Sequence, residues 1–413
     1  MTSEPAEDAG ASRSQDSART SVWGIAGVRT LLLLVPIAFA AYALMTRIDD
    51  VREAYGSSVR SAGDFSYLRN AARTLRTGEP QALYEGVADR EAWRAEHGFN
   101  LPGSYPYAPA VAYAMLPLTV VDSGPAFTIW KGGVALASAG LALAAASQFR
   151  SRLWQVAVVL ALITWWPVLL NAKIGQTGAF IAALVALGSL VLLRNRRFGA
   201  ALLALSVLKP STILGPALIV WPERPRVWLT CAGVAATVAL LPFLWLGPEA
   251  LFGWIDILRG TASRDLTGGH SYNQGLTALI GFEGLAGRLA FVALIVASML
   301  GVNEIHKRGG VAAAAAVAVL VGLLLNPHSL IYEWGLAFAS VMLIRRSLTV
   351  APQSADLVCG LLIVTLFFAG HWEPRDPIIK PLTAWALATG VAFALYTVWS
   401  ARDRPRLLTQ PAT

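Results

Sequence analysis

DFSYLRNAARTLR, residues 64–76, lies between two apolar runs. Phe65, Leu68, Ala72 and Leu75 recur at helical spacing and give the segment one apolar face. Arg69, Arg73 and Arg76 occupy the other face. A helix divided in this way lies flat in a bilayer interface rather than crossing it. Its first residue is a carboxylate, Asp64, preceded by Gly63. The expected architecture is a bowl of membrane helices that presents a lipid-borne substrate to that carboxylate.

The composition agrees. Of 413 residues, 55% are hydrophobic and 14% charged, against about a quarter charged in a soluble domain. This is the make-up of an all-α polytopic membrane protein. The net charge is +8, but the basic residues sit in short clusters between apolar runs. That pattern reports topology and excludes a nucleic-acid footprint. Cys231 and Cys359 both fall inside apolar runs and read as small core residues. Residues 2–21 are rich in Ser, Ala, Asp and Glu with no apolar core, so 1–24 is expected to be a disordered cytoplasmic tail without a cleavable signal.

Apolar segments fall at about 28–46, 107–121, 126–148, 153–171, 177–193, 198–220, 226–246, 285–305, 311–325, 330–345, 354–370 and 378–400. Spanning takes roughly 20 apolar residues, and several of these runs are shorter. Basic clusters occur at Arg150/Arg152, Arg194/Arg196/Arg197, Arg224/Arg226, His306–Arg308, Arg345/Arg346 and Arg402–Arg406. Positive loops stay cytoplasmic. The loops 47–106, 172–176, 247–284, 326–329 and 371–377 then face outward, and both termini are cytoplasmic.

Two segments break the simple alternation. Segment 198–220 has basic residues at both ends and Lys209-Pro210 in its middle. Pro210 cannot continue a helix undisturbed. The reading is two half-helices that enter, meet near Lys209 and return; a plain proline kink is the alternative. Segment 107–148 holds two apolar runs split by Asp122–Pro125, and one of them is expected to be broken, with Pro117 a candidate.

Once the loops are assigned, the varied polar residues gather on the outer side, and the cytoplasmic loops hold little but arginine. Asp64 can act as a general base for an attacking hydroxyl, or it can simply cap its helix. Asn171–Gln176 can bind sugar hydroxyls or phosphate, or form a capping turn broken at Gly175. Lys209 is the strongest electrostatic signal, because an ammonium inside an apolar segment costs roughly 2.5–3.5 kcal/mol on the insertion scale. A lipid phosphate would compensate it; snorkelling or an internal ion pair would do so too. His328, in Asn326-Pro327-His328, can donate to a phosphate or begin a helix. His270–Gln274 follows a second interfacial helix, expected at about Pro248–Leu258 with Gly260 beyond its end. His371–Asp376 reads as an ordinary interfacial loop. The tryptophans of 154–166 and 245–254 read as interfacial belts. No HExxH, DxD or Cys/His spacing points to a metal, and no Walker motif points to ATP.

Taken together these residues resemble glycosyltransferase family 87, a branch of the GT-C membrane glycosyltransferases. The resemblance rests on Asp64-Phe65 with its interfacial helix, Tyr105-Pro106-Tyr107-Ala108-Pro109, Gly175-Gln176, Leu208-Lys209-Pro210, Asn273-Gln274 and Asn326-Pro327-His328, in that order. The outer turn departs from the pattern, with Lys173-Ile174-Gly175-Gln176 where Asn-Gly-Gln is usual. The resemblance implies a GT-C fold of about 11–12 transmembrane or re-entrant helices over 25–402, with outer interfacial helices and a cytoplasmic tail at 403–413. It implies an inverting enzyme of the plasma membrane that moves a sugar, mannose first, from a polyprenyl-phosphate donor to a glycolipid or glycan hydroxyl outside the cytoplasm. No cofactor is implied. Asp64 matches the catalytic carboxylate, and Lys209 and His328 match groups near the donor phosphate. Tyr107, Gln176, Asn273 and Arg69 are lesser substrate-binding candidates. An arabinofuranosyl transferase is the nearest alternative. A transporter or flippase for a lipid-linked sugar is the rival of another class; the sequence lacks the clear internal repeat that many transporters carry.

Overall fold

The computed structural model describes residues 13–85, 90–103, 105–266, 273–370 and 381–402. The protein is an all-α polytopic membrane protein. Among the described residues the β contact is a single antiparallel bridge between Asn273 and Leu330. Among the described residues five helices are long and apolar enough to cross a bilayer: Ser123–Ala146, Pro225–Leu246, Gly284–Leu325, Pro352–Ala369 and Pro381–Ser400. Arg152–Thr164 and Trp166–Ile174, bent by 41°, make a sixth candidate if they are one span.

Several of the apolar runs fold as short or broken pieces. Pro109–Met115 passes into the 3-10 turn Leu116–Thr119, which carries Pro117, so this run breaks where proline removes a backbone donor. Gly178–Leu192 is only 15 residues long. The 42-residue helix Gly284–Leu325 absorbs two runs, and its backbone leaves helical geometry at Gly310, at φ 77°. Glycine tolerates that left-handed value without a Cβ penalty.

Segment 196–223 settles as a hairpin. Arg196–Ala204 and the turn Leu205–Leu208 lead to Lys209, whose backbone is extended (φ −121°, ψ 90°). After Pro210 the chain turns back through Leu214–Val220. Arg196 Nη1 then meets Glu223 Oε1 at 2.8 Å, so the two ends of the segment lie together with Lys209 at the tip. The returning arm is seated by a backbone-to-backbone approach: a Cβ on Gly322 would stand 2.4 Å from the Gly215 Cα. Small residues permit such contacts where lipid supplies no hydrophobic drive between helices.

The interfacial helix spans Gly63–Thr74 and buries Phe65, Leu68, Ala71 and Ala72. Phe65 packs on Phe127 and Trp130, with ring centroids 5.1 and 6.2 Å away. Its arginine face is covered in part by the protein itself, with Arg73 half-buried and Arg76 exposed. Arg73 lies 4.1 Å over the Phe99 ring, and Arg76 donates to Thr119. The helix therefore makes protein contacts on its polar side as well as its apolar one, a fact its amphipathic pattern alone does not reveal. Lys131 donates to the carbonyls of Tyr55 and Ser57, capping the end of the long first helix Arg13–Gly56 just before the chain enters this region.

The second amphipathic helix, Pro248–Leu266, runs through Gly260 rather than stopping before it. The tryptophan belt needs a larger correction. Trp245 is exposed, but Trp154, Trp165 and Trp254 are buried. Trp165 donates its Nε1–H to the Phe367 carbonyl at 3.2 Å, which fixes it as a core residue.

The helix Ser123–Ala146 gives the bundle its two ends. It starts at the interfacial helix, through Phe127 and Phe65, and finishes just before Arg150. At that far end Asp356 accepts from the Arg150 and Ser151 amides and pairs with Arg345 at 2.7 Å. A helix of 24 residues separates the ends by about 36 Å at ~1.5 Å per residue.

Candidate active site

Asp64 sits in the first turn of its helix, but the cap position belongs to Ala62 and no side chain caps it. The Asp64 carboxylate instead engages the Gln176 side chain. The amide nitrogen is the donor available to a glutamine, so Gln176 Nε2 faces Asp64 and its oxygen faces the other way. Burial raises the Asp64 pKa above the ordinary carboxylate value, and Gln176, Lys209 and His328 pull it partly back. Burial likewise raises the Tyr67 hydroxyl on the same helix, with Tyr107 and Asp64 adding to the effect.

Gln176 is placed by its turn. The helix Trp166–Ile174 ends on Gly175 at φ 82°. That left-handed residue closes a C-terminal motif in which the amides of Gly175 and Gln176 both donate to the Asn171 carbonyl. Asn171 is itself consumed structurally: its amide donates to the Pro167 and Tyr332 carbonyls, and its oxygen accepts from Ala179. Lys173 points elsewhere, paired with Glu53 at 2.6 Å. Of the outer turn, Gln176 alone reaches the site through its side chain.

The Gln176 oxygen is a junction. It accepts from the Tyr107 hydroxyl at 3.0 Å and stands 3.4 Å from Lys209 Nζ. Tyr107 is held in turn by Tyr84, which donates to its carbonyl at 2.8 Å, and Trp254 holds the neighbouring Pro106 carbonyl. Lys209 is 4% exposed, yet it is not uncompensated: Nζ lies 2.8 Å from Glu333 Oε1 and 4.6 Å from the centre of the Tyr332 ring. The internal ion pair weighed for Lys209 is thus present. Glu333 also accepts from Ser211 at 3.2 Å and from Asn326 at 3.0 Å.

His328 follows in the turn that Asn326 organises, where its amide donates to the Asn326 side chain at 3.0 Å. Asn273 is fully buried and clamps this turn from the other side. Its amide donates to the Pro327 carbonyl at 2.6 Å, and its oxygen accepts from Gly275. Arg69 is a fastener too, donating to the Leu118 and Val121 carbonyls at 3.1 and 2.7 Å. His270 and the loop His371–Asp376 lie outside the described residues.

Several of these groups border one cavity of about 360 Å³. Tyr107, Lys209, Ser211, Asn326 and His328 line its polar part. Leu214, Leu258, Phe291, Ile295 and Leu325 line an apolar part that continues from it. Asp64, Gln176, Arg69 and Asn273 are not wall residues; Asp64 reaches the wall through Gln176, whose oxygen meets Tyr107 and Lys209. The arrangement puts two basic side chains at the head of an apolar groove, with a carboxylate joined to them through Gln176.

Glu333 is the member that sequence reasoning passed over. A signal existed, since it is the only acidic residue between Glu304 and Asp356, in an otherwise apolar stretch. Its pairing with a lysine in a distant hairpin left no trace in local pattern.

No curated protein and no solved structure matches the chain. The family model "Glycosyltransferase family 87" matches residues 105–305, a stretch that carries Tyr107, Gln176, Lys209 and Asn273. Asp64 and His328 fall outside that stretch and meet it through the contacts described above. The matched stretch is just under half of the chain; together with the helical membrane architecture it supports a membrane glycosyltransferase similar to glycosyltransferase family 87.

Proposed function

We propose that the protein moves a sugar, mannose in the first instance, from a polyprenyl-phosphate donor to a hydroxyl of a lipid or glycan, inverting the anomeric carbon. The observation that carries this reading is the connection of Asp64, through Gln176, to Lys209 at the head of an apolar groove also lined by His328. An inverting displacement needs one base. Asp64 takes the acceptor proton as the acceptor oxygen bonds to the anomeric carbon. The bond from that carbon to the phosphate oxygen breaks, and the lipid phosphate leaves with the electron pair. The leaving group carries negative charge readily, so cationic stabilisation by Lys209 and His328 serves in place of a strong acid. The apolar groove suits a prenyl chain.

The site lies at the end of the bundle remote from Arg150 and Arg345, and positive loops mark the cytoplasmic side. That assignment supports catalysis on the extracytoplasmic face, and the membrane we propose is a bacterial plasma membrane. Tyr107 and Gln176 orient the base; Arg69 and Asn273 fix the helix and the turn on which the reacting groups stand.

The test uses purified protein with polyprenyl-phosphate mannose and a phosphatidylinositol-based glycolipid acceptor. Wild type should form a glycosidic bond, and Asp64→Asn should lose turnover while retaining donor binding. Near-normal turnover by Asp64→Asn would remove it as the base. Donor crossing reconstituted liposomes with no glycosidic bond formed would favour a flippase instead, and a panel including polyprenyl-phosphate arabinofuranose identifies the sugar.

A further inference from the structure

Three hydrogen-bond donors at the polar head of the groove share one unusual property. Lys209 Nζ, Ser211 Oγ and Asn326 Nδ2 all belong to residues that line the cavity, and all three direct a contact to Glu333, at 2.8, 3.2 and 3.0 Å. Glu333 itself is 1% exposed and is not a wall residue. A set of donors facing a cavity and gathered on one carboxylate is an anion cradle whose own residue occupies it from behind.

We propose that Glu333 is the resting counter-ion of this cradle, and that a lipid phosphate entering the groove competes with Glu333 for Lys209, Ser211 and Asn326. This rests on the donor-phosphate reading above and adds to it two phosphate-binding residues and one opposing charge.

The physical logic concerns release as much as capture. A phosphodiester donor carries one negative charge, and the lipid phosphate left after transfer can carry two. A lone buried ammonium in an apolar groove would hold that product most tightly of all the species in the cycle. Glu333 weakens every phosphate complex, and the more highly charged product complex most. When the product leaves, the carboxylate recovers its three donors, so neither it nor Lys209 is left buried and unpaired, a state that costs several kcal/mol per ion.

The experiment titrates farnesyl phosphate, a short prenyl phosphate monoester, into the purified full chain in nanodiscs, and reads Kd by calorimetry. Lys209→Met should weaken binding by about tenfold or more, because the phosphate loses the ammonium of the cradle. Glu333→Gln should tighten it by about tenfold. A tighter complex also certifies a folded protein. In the Lys209→Met background the tightening from Glu333→Gln should shrink to about twofold or less, because the cation it liberates is gone. Ser211→Ala should weaken binding by about threefold.

The outcomes separate the two claims. Lys209→Met binding as well as wild type would overturn the phosphate reading itself. Lys209→Met weakened but Glu333→Gln unchanged or weakened would overturn this inference alone, as would equal tightening in both backgrounds. Should Glu333→Gln not fold, Glu333→Asp keeps the charge and retracts it by one methylene. It should bind farnesyl phosphate more tightly than wild type, and an unchanged Kd would overturn the proposal. In turnover, Glu333→Gln should show a lower KM, a lower kcat and stronger inhibition by farnesyl phosphate, a split that a merely structural role would not produce.

Discussion

Gly175 lies directly against Phe65: a Cβ built on the glycine would stand 2.3 Å from the Phe65 Cβ and 2.9 Å from its backbone. The neighbours of these two residues, Gln176 and Asp64, are the pair that joins the interfacial helix to the groove. Gly175 is also left-handed at φ 82°. Gly175→Ala therefore meets two penalties. The backbone strain is about 1–2 kcal/mol. The clash involves backbone, so it is relieved by moving the interfacial helix. The expected result is a modest fall in melting temperature with a fall in turnover of about 10²-fold, since a displacement near 1 Å can cost that much. Turnover close to wild type would show that the Asp64–Gln176 contact tolerates displacement.

Asp64→Asn should lose turnover by about 10²–10⁴-fold, the usual contribution of a positioned base. Its stability should move the other way. Burial raises the folded-state pKa of Asp64, so between its unfolded and folded values the native state binds more protons. Stability contributed at this site is therefore lost as pH rises through that window. At neutral pH the ionised carboxylate is a burden, and the neutral variant should melt slightly higher than wild type. A lower melting temperature would mean that the contacts made by the carboxylate outweigh its burial.

The same shift sets the acid limb of activity. The base works only when ionised, so kcat/KM should fall as pH is lowered through a value above the ordinary 3.8. Gln176, Lys209 and His328 each lower this pKa. Gln176→Leu and Lys209→Met should each move the limb to higher pH, and His328→Asn should do so by a smaller step. A limb that stays in place in Gln176→Leu would break the proposed contact.

How much of this was readable before folding depended on the range of each interaction. Asp64, Gln176, Lys209 and His328 stood out because each is a polar residue where the local pattern is apolar or helix-bounding. Gly175 was legible as a helix stop, and its φ bears that out. The charge balance of Lys209 was not legible, because Glu333 reaches it from another part of the chain. The tryptophans misled for a related reason: an indole is suited to an interface and to a core alike, and Trp165 is decided by the Phe367 carbonyl. Gly260 failed as a stop signal because tertiary contacts carry Pro248–Leu266 past it; Thr261 and Ala262 in that last stretch line the groove.

The Lys209–Glu333 pair should show strong coupling in stability. Removing one partner from a buried ion pair costs about 3–5 kcal/mol, whereas replacing both with apolar or neutral groups can be nearly neutral. Lys209→Met should therefore unfold at markedly lower denaturant, and the double variant Lys209→Met/Glu333→Gln should recover much of that loss. Additive losses in the two single variants would indicate that water reaches the pair in the resting protein.

The hairpin at 196–223 makes a topological prediction that also tests the side of the reaction. Arg196 and Glu223 meet at 2.8 Å, so Asn195 and Arg224 belong to the same end of the bundle. Ser57 sits at the other end, where its hydroxyl lies 3.4 Å from the Lys173 carbonyl and its own carbonyl accepts from Lys131. Single cysteines at Asn195, Arg224 and Ser58 can be probed in intact cells with a membrane-impermeant maleimide. The native Cys231 and Cys359 are buried, which keeps the background low. Labelling of Ser58→Cys alone, with Asn195→Cys and Arg224→Cys reacting only after permeabilisation, is the expected pattern. Labelling of Arg224→Cys but not Asn195→Cys would mean that the segment crosses the bilayer, which the ion pair between its ends forbids. Labelling of both, with Ser58→Cys silent, would invert the chain and place Asp64 on the cytoplasmic face.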